Sequence, residues 1–351
     1  MDQGLRLKTV TLTAKEKICF KADAECNRDE CEFARGYHDR IDEAITCALE
    51  TDCLGRDVME KIARQYRVCP FELSLELSEL ADCIICDYNY VFDPQANLRR
   101  FFSRPREAYL FLVDEAHNLV DRSREMFSAD IRKQAFLDVR RQIKKSLPDV
   151  YSALGKVNTC LLRFMKASPD KTQAFAETEL PADLWQALSD FIRACEKWLA
   201  LNRDAPFRET LLELYFGVAR FLKVTELFDA SYAVCCERFA KDFRVRLFCI
   251  DPSGPLSRVL EKGRATIFFS ATLTPTEYFQ KIFGCGEASS GLVLASPFPR
   301  ENLCVMVSSV STLFRNRRNT REMVASLIRS LVSQKIGNYL IFFPSYSYMT
   351  M

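Results

Sequence analysis

Four residues in the order Asp-Glu-Ala-His stand directly after a short apolar run. The run covers 110–113, and the residues that follow are Asp114, Glu115, Ala116 and His117. In an open α/β sheet, ligands bind at the carboxyl ends of the strands, so a strand here would deliver these side chains into a ligand crevice. An Asp there can hold Mg²⁺ through water, and a neighbouring Glu can deprotonate a water that attacks a phosphate. The pattern predicts a site for hydrolysis of a nucleotide γ-phosphate, with His117 reporting the phosphate state to a neighbouring domain.

The alternative for this segment is a plain strand-to-helix turn in which Asp114 caps the next helix. Acidic caps are common, but these four residues in order after an apolar run are rare by chance. A second segment supports the functional interpretation. A predicted buried strand of Thr266 and the apolar residues 267–269 is followed by Ser270, Ala271 and Thr272. Ser-Ala-Thr alone is weak evidence, but it becomes informative at the end of a strand downstream of Asp-Glu-Ala-His.

Cysteines form the third group of candidate residues. Cys19, Cys26 and Cys31 lie close together among charged residues, and Cys69 precedes the next predicted strand. Four thiolates suit a 4Fe–4S cluster, while a four-cysteine zinc site needs the same number of ligands. The spacing lacks the paired C-x2-C pattern of zinc ribbons, and ordinary free thiols are usually buried among apolar residues. The sequence therefore favours a metal centre, with iron–sulfur preferred to zinc.

Some of the other cysteines are alternative ligands for the predicted metal centre, and others are expected to be free thiols. Cys47 and Cys53 could replace one of the four ligands. Cys83 and Cys86 lie in an apolar strand, and we expect both to be buried thiols. The adjacent pair at 235–236 lies in a stretch predicted to be helical, with its first member in the core and its second at the surface.

Composition places few limits on function. The chain has 351 residues, 48% hydrophobic and 27% charged, with a net charge of +2, values ordinary for a soluble globular protein of two or three domains. This balance neither supports nor excludes a nucleic-acid partner. The first residues have no apolar run, and no stretch approaches the roughly 18 apolar residues of a membrane span. With 15 cysteines in a chain that has no signal peptide, we expect reduced thiols, a cytoplasmic location and no membrane partner.

Two kinds of hydrophobic pattern, one typical of strands and one of helices, alternate along the chain. Strand-like segments occupy 5–13, 81–87, 109–113, 245–250, 265–269, 305–307 and 339–343, while 39–54 and most of 119–243 have helical periodicity. Strands that alternate with helices predict an α/β fold with a parallel sheet. The stretch 119–243 has little Gly and reads as an all-helical insertion.

Together these residues resemble the XPD/DinG-like family of iron–sulfur DEAH-box DNA helicases of superfamily 2. Asp114 to His117 and Ser270 to Thr272 resemble its motifs II and III, and segments 12–19 and 67–70 resemble the flanks of its cluster. Segment 81–90 resembles the strand and loop after the cluster domain, 248–253 the return from the helical Arch domain, and 337–346 motif IV. The matched order covers nearly the whole chain.

The resemblance implies a RecA-like parallel-sheet domain interrupted by a cluster domain and an all-helical Arch insertion, followed by the start of a second RecA-like domain. The expected boundaries are 1–18, 70–118 and 244–298 for the first RecA-like domain, 19–69 for the cluster domain, 119–243 for the Arch and 299–351 for the second RecA-like domain.

The family implies a monomeric motor that hydrolyses ATP, translocates 5′ to 3′ on single-stranded or forked DNA and acts in DNA repair. Carried onto this sequence, Asp114 would help to bind Mg²⁺ and Glu115 would be the catalytic base. His117, Ser270 and Thr272 would couple hydrolysis to DNA movement. A 4Fe–4S cluster would be held by Cys19, Cys26, Cys31 and Cys69. Weaker candidates for DNA contact are Lys15, Asn89, Ser345 and Tyr346.

One departure bears on activity. No G-x-x-x-x-G-K-[S/T] phosphate-binding sequence occurs, and the single Gly-Lys, Gly155-Lys156, is followed by Val157. Without that loop, the phosphates lose a cradle of backbone N–H groups and a neutralising Lys. We therefore expect an internal fragment of a helicase that lacks this loop and the C-terminal motor motifs, and that is inactive as an ATPase by itself. The alternative is a non-catalytic remnant that binds nucleic acid or metal.

Overall fold

The computed structural model describes residues 7–21, 26, 29–94, 109–144, 146–167, 174–200, 202, 205–239 and 242–351. The chain divides into two compact units, Met1–Ser290 and Gly291–Met351. Part of the first predicted strand, at positions 5 and 6, lies outside the described residues.

All the strands of the described residues lie in the first unit. They are β1 Thr9–Thr11, β2 Cys53–Leu54, β3 Cys83–Ile85, β4 Leu110–Val113, β5 Ala129–Arg132, β6 Ala174–Glu177, β7 Tyr232–Phe239, β8 Asp242–Cys249 and β9 Ala265–Phe268. Helices of the first unit are α1 Lys15–Ile18, α2 Tyr37–Ala48, α3 Arg56–Tyr66, α4 Pro70–Ser78, α5 Asn89–Phe92, α6 Leu119–Met126, α7 Lys133–Ile143, α8 Pro148–Ala167, α9 Ala182–Leu199, α10 Arg208–Thr225, α11 Ser253–Leu260 and α12 Thr276–Ile282.

Two small sheets are parallel, as the strand–helix alternation predicts. One has the order β2-β1-β3 and the other pairs β4 with β9. Burial is less complete than the apolar runs suggest: Leu110 and Leu112 are each 68% exposed, whereas Val113 is 5% exposed. Side chains in a strand alternate between faces, and only one face of β4 packs against the core.

The smaller of two apolar cores lies against β1 and β2. Val10, Leu54, Met59 and Leu73 are almost fully buried there, and the core is completed by residues of α1 to α4. Amphipathic helices supply it: in α3, for example, Met59, Ile62 and Ala63 face inward at helical spacing. This core supports the segments that carry the cysteines of the predicted cluster.

The insertion at 119–243 is not all-helical, and that prediction is wrong. Besides helices it contains a four-stranded antiparallel sheet in the order β5-β8-β7-β6. β7 and β8 form a hairpin in which Tyr232 lies opposite Cys249. β8, predicted to return to the parallel sheet, pairs instead with β5 and β7, so a boundary at 243/244 cuts through a strand.

Alternation along β8 explains why this hairpin forms. Phe243, Val245, Leu247 and Cys249 point inward and are fully buried. On the outer face, the guanidinium of Arg244 lies 3.0 Å from a carboxylate oxygen of Asp130. The other three strands of this sheet, β5, β6 and β7, were not predicted, and β5 and β6 each have only four residues flanked by helices. Short strands of this kind are specified by the neighbours they pair with more than by their own sequence.

The predicted burial of two cysteine pairs needs correction. Cys236 is buried and Cys235 is half-buried, the reverse of the prediction, because they lie in a strand and not in a helix. Cys83 is exposed, since one face of β3 is open. Cys86, just beyond β3, is half-buried, and its burial raises the pKa of its thiol to about 11.

The second unit contains helices α13 Arg317–Val332 and α14 Tyr346–Met349 and 3-10 turns at Arg300–Asn302 and Phe314–Asn316. The strands predicted at 305–307 and 339–343 are absent from this fully described unit. Both segments lack regular secondary structure and are largely exposed: Val307 is 91% and Phe342 84% exposed. A strand exists only when a neighbour satisfies its backbone groups, and neither segment has one in this unit.

Candidate functional site

Parallel pairing of β4 with β9 brings the two sequence motifs together. Val113 lies opposite Phe268 in the register. Beyond the strand ends, the Phe269 N–H donates to the Val113 carbonyl at 3.0 Å, and the Ala116 N–H donates to the Phe269 carbonyl at 3.1 Å. These backbone bonds fix the position of Asp-Glu-Ala-His relative to Ser-Ala-Thr.

His117 is the side chain that joins the motifs. Its Nδ1 lies 2.7 Å from Ser270 Oγ and 3.3 Å from Glu115 Oε2. Ser270 Oγ also lies 3.4 Å from the same Glu115 oxygen and 3.5 Å from Thr272 Oγ1, and it accepts the Thr272 N–H at 3.3 Å. The structure thus brings together four of the five side chains that the sequence assigned to catalysis.

Asp114 and Glu115 occupy a tight turn at the end of β4. Glu115 has a left-handed backbone with φ of 45°, and its N–H donates to Asp114 Oδ1 at 2.7 Å. A 3-10 turn at Ala116–Asn118 follows and leads into α6. Asp114 and Glu115 are both exposed, so their carboxylates are accessible to a ligand from solvent.

Tyr88 also belongs to this site, and the sequence analysis missed it. Its hydroxyl donates to the backbone carbonyl of Asp114 and, at 3.1 Å, to that of Glu115. Burial raises the pKa of Tyr88, and the nearby carboxylates of Asp114 and Glu115 raise it further. The signal that could have found it is an aromatic hydroxyl just after β3, a second parallel strand.

Three of the four predicted cluster cysteines interact with one ammonium group. The Cys26 thiol is hydrogen-bonded to Lys15, the largest cause of a raised pKa of that lysine, and partial burial opposes the rise. The charges of Cys26, Cys69 and Cys19 favour the ammonium as well. Burial raises the pKa of Cys69, while the backbone N–H groups of residues 72 and 71 in the first turn of α4 lower it.

Cys31, the fourth predicted ligand, is buried. Across the described residues, no group of three or more His, Cys, Asp or Glu side chains is arranged to hold a metal ion. The positions 22–25 and 27–28 around Cys26 lie outside the described residues. Thiols are the donors that iron–sulfur clusters use, so the donor chemistry around Lys15 fits such a group. The competing Cys47 is instead hydrogen-bonded to the Tyr66 hydroxyl, the largest cause of a raised pKa of that tyrosine.

The weaker DNA candidates are divided between the two units, with Lys15 and Asn89 in the first and Ser345 and Tyr346 in the second. Lys15 is at the cysteines described above, and Asn89 begins α5, with its N–H donated to Asp87 Oδ1 at 3.1 Å. Ser345 caps α14 by accepting the Tyr348 N–H at 3.3 Å. Tyr346 is 86% exposed. Ser345 therefore has a clear structural role, while Tyr346 presents a free aromatic face.

Comparisons with known proteins find helicases that are similar over most of this chain. The family model described as DEAD_2 matches residues 6–136. The ATP-dependent DNA helicase CHL1 of Yarrowia lipolytica is 21% identical, over 93% of this chain and 46% of the relative. The general transcription and DNA repair factor IIH helicase subunit XPD/RAD3 of Saccharomyces cerevisiae is also 21% identical, over 96% of this chain and 52% of the relative. These matches support the resemblance of the chain to the XPD/DinG-like helicases of superfamily 2.

A solved structure supports the fold. The chain described as XPD helicase superposes with a TM-score of 0.55 at 18% identity, covering 99% of this chain and 61% of that one. The parallel sheets and their helices therefore represent the RecA-like α/β fold of this helicase family, as the sequence predicted. The chain spans about half the length of the curated relatives it matches. No helix in the described part of the chain is both long and apolar enough to cross a bilayer.

Proposed function

We propose that this chain forms part of an ATP-dependent DNA helicase and that the adjoining ends of β4 and β9 contribute to its ATP-hydrolysis site. The contact between His117 Nδ1 and Ser270 Oγ, at 2.7 Å, carries the proposal. This contact joins the Asp-Glu-Ala-His turn to the Ser-Ala-Thr turn. A movement of one turn therefore changes the position of the other.

Each side chain in this site has a distinct proposed role. Glu115 is the base that takes a proton from the attacking water, and its Oε2 is oriented by Ser270 and His117. Asp114 would hold Mg²⁺ through water, an ion that would neutralise phosphate charge when bound. His117, Ser270 and Thr272 would pass the change at Glu115 to the segments that follow β9.

The cluster is proposed on the cysteines around Lys15. Cys19, Cys26, Cys31 and Cys69 would hold a 4Fe–4S group. Its support is the interaction of three of these thiols with a single ammonium group. Cys47 and Cys53 remain competing ligands for one position.

The partner proposed for the whole protein is single-stranded or forked DNA, on which a monomer moves 5′ to 3′ in DNA repair. Lys15, Asn89 and Tyr346 are the proposed contact residues, with Ser345 the weakest because it caps a helix. A second candidate is a chain that binds DNA or metal without turnover, and the retained Asp114, Glu115 and Ser-Ala-Thr sequence favour the helicase over it.

Unwinding assays with the full-length protein test the proposal. ATP-dependent separation of a duplex with a 5′ tail, and much less of one with a 3′ tail, is the expected result. This chain alone should hydrolyse ATP no faster than background, with or without single-stranded DNA. DNA binding by the full-length protein without any ATP turnover would establish the second candidate instead.

A further inference from the structure

Tyr88 is held rigidly beside the Asp-Glu-Ala-His turn. Its carbonyl accepts the N–H of Val91 at 3.1 Å and that of Phe92 at 2.8 Å, which fixes its main chain at the start of α5. Phe92 is 2% exposed and anchors α5 in the larger core, and the half-buried Tyr88 ring packs against that core. Little freedom is left to the side chain, so the direction of its hydroxyl is set by the fold.

The Tyr88 hydroxyl contacts the turn around Glu115, where the backbone conformation of the turn is unfavourable. Glu115 has φ of 45°, in the left-handed region that residues with a Cβ rarely adopt. The Tyr88 O–H donates to the carbonyls on both sides of this strained position, those of Asp114 and Glu115. From the other side, the Ala116 N–H is bonded to the Phe269 carbonyl at 3.1 Å. The turn is therefore clamped between β9 and Tyr88.

The surroundings of Tyr88 keep its hydroxyl protonated, so that this group remains a hydrogen-bond donor. Burial and the nearby carboxylates of Asp114 and Glu115 raise the pKa of Tyr88, with Asp87 adding to the rise and Arg122 opposing it. The phenol thus keeps its proton at neutral pH and can only donate to the two carbonyls. A phenylalanine would fill the same space and leave both carbonyls without this donor.

We propose that Tyr88 is a positioning residue of the hydrolysis site: its hydroxyl holds the Asp114 and Glu115 carbonyls, and so fixes the directions in which the two carboxylates leave β4. The kinetic consequence rests on the function proposed above, whereas the effect on the turn does not. Tyr88 itself touches no reacting atom in this arrangement and acts through the backbone of its neighbours.

Amide hydrogen exchange on this chain tests the clamp directly. In Tyr88→Phe, the amides of Glu115, Ala116 and Asn118 should exchange about tenfold faster, the size expected for losing one net hydrogen bond. Tyr90→Phe is the matched control, because Tyr90 is a half-buried tyrosine of the same helix that packs against the smaller core and, among the described contacts, makes no hydrogen bond to this turn. Exchange within twofold of wild type at all three amides of Tyr88→Phe would overturn the proposal.

Steady-state kinetics on the full-length protein separate positioning from general destabilisation. Tyr88→Phe should lower kcat for ATP about tenfold while KM stays within twofold, since the hydroxyl orients carboxylates and does not hold the nucleotide. Tyr90→Phe should leave both parameters unchanged, and the two variants should melt within a few degrees of each other. If wild type turns over ATP and Tyr88→Phe matches its kcat, the inference is wrong and the function stands. If wild type turns over no ATP, the function fails and the exchange result still decides the role of Tyr88.

Discussion

His117 illustrates how single residues connect the two motifs of this chain. One imidazole nitrogen lies within 2.7 Å of the Ser270 hydroxyl and 3.3 Å of the Glu115 carboxylate. Because the three groups share hydrogen bonds, removing one changes the orientation of the other two. Effects of substitutions here should therefore be non-additive.

Glu115→Gln tests the proposed base. The amide keeps the side-chain shape and an oxygen that can accept from Ser270, but it cannot take a proton. In the full-length protein, turnover should fall by about 10²–10⁴ while nucleotide and DNA binding survive. Asp114→Asn provides the comparison, because it should weaken Mg²⁺-dependent nucleotide binding as well as turnover. ATPase activity of Glu115→Gln within about twofold of wild type would mean that the base lies elsewhere.

At the scale of elements, α12 depends on a glycine at its end. Gly284 has φ of +68°, and its N–H donates to the Lys281 carbonyl at 3.0 Å, while the Cys285 N–H donates to the Gln280 carbonyl at 3.0 Å. This pair of bonds is the Schellman motif. A Cβ added at Gly284 would lie 2.3 Å from the backbone oxygen of Ser253 in α11. Backbone atoms cannot swing away, so the position accepts only glycine.

Gly284→Ala should therefore lower the free energy of unfolding by about 2 kcal/mol or more, from the left-handed backbone and the contact with α11. Gly217→Ala is the matched control, since a Cβ there meets no atom within 4 Å and the residue lies inside α10. It should stabilise the chain by up to about 1 kcal/mol, because Ala is the better helix former. Urea unfolding measures both, and equal effects of the two variants would contradict this account of α12.

At the largest scale, the first unit contains two apolar cores, and each supports a different proposed site. The smaller core supports the cysteines around Lys15, and the larger one joins the β4–β9 pair to the antiparallel sheet of the insertion. The segment after β3 connects them, because Tyr90 packs against the smaller core and Tyr88 against the larger one. The segment after β3 therefore connects the core beside the proposed cluster to the core beside the proposed hydrolysis site.

Iron analysis tests the proposed cluster. Purified without oxygen, the chain should be brown and contain about four irons, as a 4Fe–4S group requires. Cys26→Ser and Cys69→Ser should lose both colour and iron, whereas Cys304→Ser, at an exposed position of the second unit, should keep them. Cys47→Ser and Cys53→Ser decide whether either is a ligand. Stoichiometric zinc without iron would contradict the assignment.

The sequence by itself indicated the helicase resemblance and the two strands whose ends carry its motifs. Short apolar runs that end in Asp-Glu-Ala-His or Ser-Ala-Thr encode both the strand and the polar residues at its end, because the signal is local. Both predicted strands are present, and the structure pairs them with each other. Helices with long periodic faces, such as α7 and α9, were predicted from the same kind of local pattern.

Tertiary structure alone decided the contacts between distant residues. Ser270 reaches His117 across 153 positions of sequence, and Tyr88 reaches Glu115 across 27, through sheet register and core packing. The antiparallel sheet of the insertion belongs here too, because β5 and β6 are strands only by virtue of their neighbours β8 and β7. In the second unit the segments at 305–307 and 339–343 have strand-like sequences but no such neighbours, and neither forms a strand. A backbone hydrogen-bond ladder is a property of two strands, so one segment's sequence can favour it but cannot complete it.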